Sequence, residues 1–489
     1  MALLYHVELK LSPVRDKKIL SIFCEKPPTF GEVAKRDAKK FCIAWGKLRR
    51  KRESLLKKFF ENGKLNTTEQ TAAGGLSCIN LMQERIDDVM DRIKLENTRQ
   101  WVRDELERCV NFWLEKGMDK VHGGVYTCLD RKGEIYSTDK SVWMQGRCGW
   151  MFANMCHNYG VKEEWLAASK SCLDFMEKYC INRECGDRMY FTVTEDCKPL
   201  RQRRYYYSEA FYASANAEYY GITGDKVCLD RARKAYNLYW DLAHGMPDPV
   251  GMGPKTNPET RTGRSFGLPM IILNVIGILL RVDPEHTEEY EQRAQQCVDE
   301  IFTYFVKPEM KCLLENVGPN GEVRTNYTEG RIVNPGHDIE GVWFILEHAK
   351  RTGNTDLIPK AAQIFDWAIE AGWDKEYGGL LYFVDCLGKP PEAYEHDMKL
   401  WWPHNEILIA SLMLYRDTKD EQYLDWFYKT VDYCQKHFSD PEFGEWYGYL
   451  RRDGLPTMPS TKGSTFKGPF HLPRCLIMCD KMMDELLAE

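Results

Sequence analysis

The sequence predicts an all-α protein, an (α/α)6 toroid with short β-hairpins at one mouth and a basic N-terminal extension outside the ring. Three observations carry that expectation. Glycine-bounded, aromatic-rich segments recur at roughly 65-residue intervals, beginning at Gly123, Gly186, Met310, Gly378 and Gly444. Between them, apolar residues fall at helical spacing. The charge balance also changes sign along the chain: residues 1–95 hold 20 Lys and Arg against 12 Asp and Glu, net +8, whereas residues 96–489 hold 47 against 61, net −14.

The extension, residues 1–95, comes first. Ala34 to Lys64 reads as a basic amphipathic helix with a solvated face at Lys47 to Arg52 (KLRRKR), and the small-residue stretch Thr67 to Ser77 reads as a linker. The toroid domain, residues 96–489, opens with a helix on which Val102, Leu106, Cys109, Val110 and Trp113 keep one apolar stripe before Gly117. Gly123–Gly133 (GGVYTCLDRKG), Gly378–Gly388 (GGLLYFVDCLG) and Gly444–Gly454 (GEWYGYLRRDG) each read as a short β-hairpin. Related segments begin at Gly186 and Met310, and the spacing calls for a further unit near residue 248, inside the Pro- and Gly-rich loop His244 to Gly267. Asp283-Pro284-Glu285 reads as an N-cap with proline at the first helical position. A unit of about 65 residues accommodates two helices and a hairpin, so the domain holds six units. Closing six helix pairs into a ring removes the exposed ends of an open solenoid and places a ligand in the central cavity.

Composition narrows the functional classes. A hydrophobic fraction of 43% with 14 Trp and 26 Tyr excludes wholesale disorder. A net charge of −6 gives no general attraction to nucleic acid or anionic membrane, so neither is expected as a partner. No apolar run reaches ~18 residues, and the opening MALLYHVELKLSPVRDKK lacks a signal-peptide core. The 18 cysteines are scattered without a CxxC, which fits reduced thiols and a cytoplasmic location. Neither HExxH nor a P-loop occurs, Gly463–Gly468 (GSTFKG) being a polar loop, so no metal and no consumed nucleotide are expected.

Three clusters carry chemistry. His337 and Glu340 share one helix face at i, i+3 after Asn334-Pro335-Gly336, where a carboxylate can fix the imidazole tautomer. Trp401, Trp402, His404 and Glu406 (WWPHNE) combine two indoles with a carboxylate, the composition of a sugar platform with a hydroxyl acceptor. His471 and Arg474 (FHLPR) pair a titratable base with a fixed cation. Glu209, in Tyr205 to Phe211, is a further candidate for a sugar hydroxyl, with Ser208 as a candidate helix N-cap.

From about Asn97 to Leu487 the segments HGGVYTCL, VWMQGR, YSEAF, NPGHDIEGVWF, GWDKEYGGLLYF, MKLWWPHNE, DPEFGEWYGYL and FKGPFHLPRCL make the chain resemble the N-acylglucosamine 2-epimerase family, also called renin-binding proteins. The resemblance implies interconversion of N-acetylglucosamine and N-acetylmannosamine, a step of amino-sugar and sialic acid metabolism, by ring opening and proton transfer at C2. It implies that His337 and His471 are the proton-transfer pair, that Glu340 and Glu406 orient imidazoles or bind hydroxyls, and that Arg147 and Arg474 stabilise charge on O1. It also implies a homodimer, activation by ATP or a related nucleotide that is not consumed, and a renin-type protease as a further partner. The leucine zipper proposed for renin binding is not expected here, because the heptad from Leu273 and Leu280 continues to Thr287 and Ala294 across Pro284. The competing readings are an epimerase or isomerase of unmodified sugars of the cellobiose or mannose type, a glycoside hydrolase, and a non-catalytic binding protein.

Overall fold

The computed structural model describes residues 67–253 and 255–488, and the basic helix expected at 34–64 lies outside them. The chain divides into two units, Met1–Arg92 and Ile93–Glu489. Thr67 to Ser77, expected as a linker, is helical and forms the start of α1, Thr67–Phe112. Glu69, Gln70, Ala72 and Ala73 favour the helix, and Gly74-Gly75 costs only about 1 kcal/mol per residue against alanine.

Eleven more helices follow among the described residues: α2 Val142–Tyr159, α3 Glu163–Tyr179, α4 Tyr207–Thr223, α5 Lys226–Ala243, α6 Gly267–Val282, α7 Thr287–Glu300, α8 Pro335–Thr352, α9 Leu357–Gly372, α10 Trp401–Thr418, α11 Glu421–His437 and α12 His471–Ala488. The even-numbered helices form an inner ring, each packed on the next, with α12 closing against α2. The odd-numbered helices pack outside, and α1 is the outer partner of α12 through Arg99 and Arg103, which reach Asp480 at 2.9 and 2.7 Å. This is the (α/α)6 toroid.

Sequence accounts for which helix lies where. Every residue of α10 from Trp401 to Leu414 is buried, as expected for a helix covered on all sides. On the outer α11, burial is confined to a stripe that includes Tyr423, Phe427, Val431 and Cys434. Proline at 284 ends α6, but Asp283 does not cap the next helix. Pro284–His286 forms a 3-10 turn, and the Asp283 carboxylate is taken by Arg233 and Tyr290. The chain bends by 119° there, so no zipper runs through Leu273 and Leu280. No single described helix is long and apolar enough to cross a membrane.

The glycine repeat marks two successive turns, where one hairpin was expected. Met118↔Val125, Trp373↔Leu380 and Ser439↔Trp446 bridge around the first glycine of each pair, and a second turn follows at Gly133, Gly388 or Gly454. These glycines have positive φ, and Lys311 takes the same left-handed position in its own unit at φ 51°. The strand entering each of α2, α6, α8 and α10 pairs with the hairpin leaving its outer partner. The bridge Asp130↔Thr461 does the same for α12 and α1, which registers the closure of the ring. A buried lysine bolts three of these junctions to an aspartate after the preceding outer helix: Lys140 to Asp119 at 2.5 Å, Lys399 to Asp374 at 3.0 Å and Lys462 to Asp440 at 3.0 Å. Hairpins and inner-helix N-termini therefore share one mouth.

Candidate active site

The first two turns of the inner helices supply the site. Asn334 caps α8, its side chain accepting from the His337 N–H at 3.2 Å. His337 Nδ1 meets Glu315 Oε2 at 2.9 Å. Across the mouth, His471, the first residue of α12, sets Nδ1 2.7 Å from Glu406 Oε1. Both rings pack on Trp402, with centroids 5.1 Å away for His337 and 5.6 Å for His471.

Behind His471 lies a buried charge cluster. Arg474 Nη2 donates to Glu340 Oε1 at 2.6 Å and to Glu406 Oε1 at 2.8 Å, and Trp343 Nε1 donates to the other Glu406 oxygen at 2.7 Å. Oxygens of Glu340 and Glu406 and a nitrogen of His471 lie close enough together to suit a metal, but they converge on Arg474 Nη2, which already supplies the positive charge. Sharing one guanidinium, the two glutamates are also poorly arranged as the separate acid and nucleophile of a glycoside hydrolase. Arg147, half-buried beside them, stacks on Phe211 and Phe470, and Arg474 also packs on Phe470.

The two imidazoles are tuned in opposite directions. Burial alone lowers the His337 pKa, but the charge and hydrogen bond of Glu315, with Glu340 and Glu406 beyond, raise it above the ordinary histidine value. Burial pulls His471 well below that value; Arg474, Arg147 and His337 reinforce it against Glu340. His337 thus favours the protonated form and His471 the neutral one. Burial also lowers Arg147 to about 9, which leaves it cationic at neutral pH.

Of the residues expected from sequence, His337, His471, Arg147, Arg474, Glu340, Glu406 and Trp402 come together. Trp401 packs behind His471 against Tyr449. His404 and Glu209 do not face the cluster. His404 Nε2 accepts from the Leu380 N–H at 2.9 Å while Nδ1 donates to the Leu400 carbonyl at 2.7 Å, and burial lowers its pKa to about 3. Glu209 accepts from the Met189 N–H at 2.8 Å and lies 3.2 Å from Arg188. Ser208 donates to the Tyr190 carbonyl and caps nothing. Gln145 makes the matching bond to the Val125 N–H, so these three positions clasp the hairpin of their unit, and the site residues Arg147 and Glu406 stand two residues further along. Glu315 and Trp343 were missed by sequence reasoning; Glu315 lies in the Met310 hairpin segment, whose register gave the only signal.

Gly336 permits the contact between α8 and Trp402. A Cβ there would lie 2.7 Å from two carbons of the Trp402 ring and 3.0 Å from Pro403. Gly336→Ala is therefore expected to displace Trp402 and both imidazole contacts, with tryptophan fluorescence reporting the shift.

Residues 124–471 match the family model described as N-acylglucosamine 2-epimerase (GlcNAc 2-epimerase). The chain is 36% identical over 404 residues to N-acylglucosamine 2-epimerase of Rattus norvegicus, covering 81% of this chain and 94% of that one. It is 24% identical over 404 residues to cellobiose 2-epimerase of Ruminococcus albus, covering 78% and 98%. The solved cellobiose 2-epimerase of Bacillus thermoamylovorans superposes with a TM-score of 0.69 at 22% identity, covering 79% of this chain and 99% of that one. The chain belongs to the N-acylglucosamine 2-epimerase family.

Proposed function

We propose that this protein is an N-acyl-D-glucosamine 2-epimerase that interconverts N-acetylglucosamine and N-acetylmannosamine. The observation that carries the reading is the pair of imidazoles on Trp402, each held through Nδ1 by its own carboxylate, with pKa values shifted in opposite directions. Each keeps Nε2 for the substrate. Opening the sugar ring places an aldehyde at C1 and makes the C2 proton acidic. Neutral His471 takes that proton, charge develops on O1 as the enolate forms, and protonated His337 returns a proton to the opposite face. In the reverse direction the roles exchange. Arg474 and Arg147 supply the positive field for O1. The 36% identity to N-acylglucosamine 2-epimerases, against 24% to cellobiose 2-epimerases, favours an N-acyl amino sugar over an unmodified one. A cytoplasmic homodimer that consumes no cofactor and responds to an unconsumed nucleotide belongs to the same reading.

Incubation with N-acetylmannosamine in D2O, followed by NMR, tests it. The expected product is N-acetylglucosamine carrying deuterium at C2. Turnover of cellobiose in preference would overturn the substrate, and product without deuterium would overturn the proton transfer.

The pH profile of kcat/KM tests the tuning. The acid limb reports protonation of His471 and the alkaline limb loss of the proton from His337. Because Glu315 raises His337, Glu315→Gln is expected to move the alkaline limb to lower pH and leave the acid limb in place. Movement of the acid limb instead would reverse the assignment.

A further inference from the structure

His337, Trp402 and His471 stand in the first turns of α8, α10 and α12, which leaves the starts of α2 and α4 to line another side of the mouth. Trp143 lies four residues before Arg147 on α2, and Tyr207 four before Phe211 on α4, so each shares the helix face of the residue that it precedes. Arg147 stacks on Phe211 at 4.2 Å beside the catalytic cluster, which places Trp143 and Tyr207 one turn nearer the mouth. Their rings meet edge to face, with centroids 5.4 Å apart.

The aromatic wall does not end with these two rings. Trp143 packs on Phe191 at 5.1 Å and on Phe466 at 6.2 Å, and Tyr207 stacks on Tyr205 at 6.0 Å. Phe191 is buried, Trp143 and Tyr207 are half-buried, and Phe466 and Tyr205 are 45% and 42% exposed, so the wall continues from the bore to solvent. Isolated exposed rings are ordinary on a protein surface, but a contiguous set leading out of a polar site has the form of a binding surface. The Tyr207 hydroxyl makes no hydrogen bond among the described residues, and burial together with the charge of Glu315 raises its pKa, so it remains a donor at neutral pH. A Cβ on Gly267 would stand 2.9 Å from that hydroxyl, and glycine there keeps its approach open.

With O1 directed at Arg147 and Arg474 and C2 between the imidazoles, the groups left to reach this wall are the C2 amide and the chain beyond C3. The chain beyond C3 carries hydroxyls that need hydrogen-bond partners, whereas the acyl group is the apolar part of the substrate. We propose that Trp143, Tyr207 and Phe466 form an extended acyl subsite: the Tyr207 hydroxyl donates to the amide carbonyl, and the acyl chain runs along Trp143 toward Phe466. This rests on the N-acyl epimerase reading and extends it. An acetyl methyl covers one ring and the wall runs on, so the site takes N-acyl groups longer than acetyl.

Calorimetry of the full chain with 2-acylamino-2-deoxymannitols, open-chain alcohols that cannot epimerise, reads the subsite without turnover. The series is N-acetyl, N-propanoyl and N-butanoyl. Kd is expected to fall about threefold for each added methylene, as for a CH2 group largely removed from water. KM for the corresponding N-acylmannosamines should follow, with kcat little changed. Trp143→Ala and, separately, Phe466→Ala are expected to remove the gain of the longest chain, and Tyr207→Phe to weaken all members about fivefold without altering the dependence on length. Phe466 is exposed, so its variant keeps the test decisive if Trp143→Ala fails to fold. A Kd that rises with chain length, an unchanged dependence in Phe466→Ala, or failure of the whole series to bind would overturn the assignment. The expected dependence without turnover of any N-acylmannosamine would sink the epimerase reading alone, and turnover of N-acetylmannosamine without that dependence would sink the subsite alone.

Discussion

His471→Ala and His337→Ala are each expected to lower kcat by about 10²–10⁴-fold, the range supplied by a positioned acid or base. The two losses differ in kind. His471→Ala removes the neutral base, while Glu406 keeps its bonds from Arg474 at 2.8 Å and Trp343 at 2.7 Å, so the cluster survives. His337→Ala removes the protonated partner and leaves Glu315 near solvent, where a freed carboxylate is easily hydrated. Both variants should therefore melt near the parent temperature while losing epimerisation. With one base gone, the other can still remove and return a proton on its own face. Each variant is thus expected to exchange C2 deuterium into only one of the two epimers, and the epimer that exchanges identifies the face of the surviving histidine. Exchange into both epimers by either variant would show that the two imidazoles are not the opposed pair.

Much of this arrangement was legible in the sequence because the repeat is long and each inner helix begins at a recognisable junction. His337 and Glu340 lie three residues apart on one helix, and His471 and Arg474 likewise, so local spacing brought those pairs together. The link between the clusters could not be read, since Glu406 meets His471 and Arg474 only where α10 packs on α12. Glu315 was missed for the same reason: it reaches His337 from the hairpin that follows α7. His404 and Glu209 misled because a polar residue at an inner-helix start can face the bore or clasp a hairpin N–H, and composition does not separate the two. The repeat does, once aligned: Gln145, Glu209 and His404 all bond the strand returning from the hairpin turn. Helix propensity set against two glycines decided Thr67 to Ser77, where the glycines had been over-weighted as linker signals.

Arg474→Met is expected to cost about 3–5 kcal/mol of stability, because it leaves two buried carboxylates without their cation. Glu340 is 3% exposed and Glu406 is fully buried, and both bond the same Nη2. Burial already raises the Glu406 pKa, and Arg474 is a main opposing influence. Without it the Glu406 carboxylate is driven further toward the protonated form. A carboxyl whose folded pKa lies above its unfolded one binds more protons in the folded state, so the variant should gain stability relative to the parent as pH falls. Denaturant unfolding at neutral and mildly acidic pH measures this, and a deficit that grows on acidification would contradict it. Glu406→Gln in the same background should recover part of the loss, since a neutral amide can still accept from Trp343. Activity should not recover with it. Arg474 is one of the cations that hold His471 neutral, so its removal raises the His471 pKa and weakens the base while the field at O1 is also lost. A double variant that regains stability but remains inactive would separate the two duties of this one guanidinium.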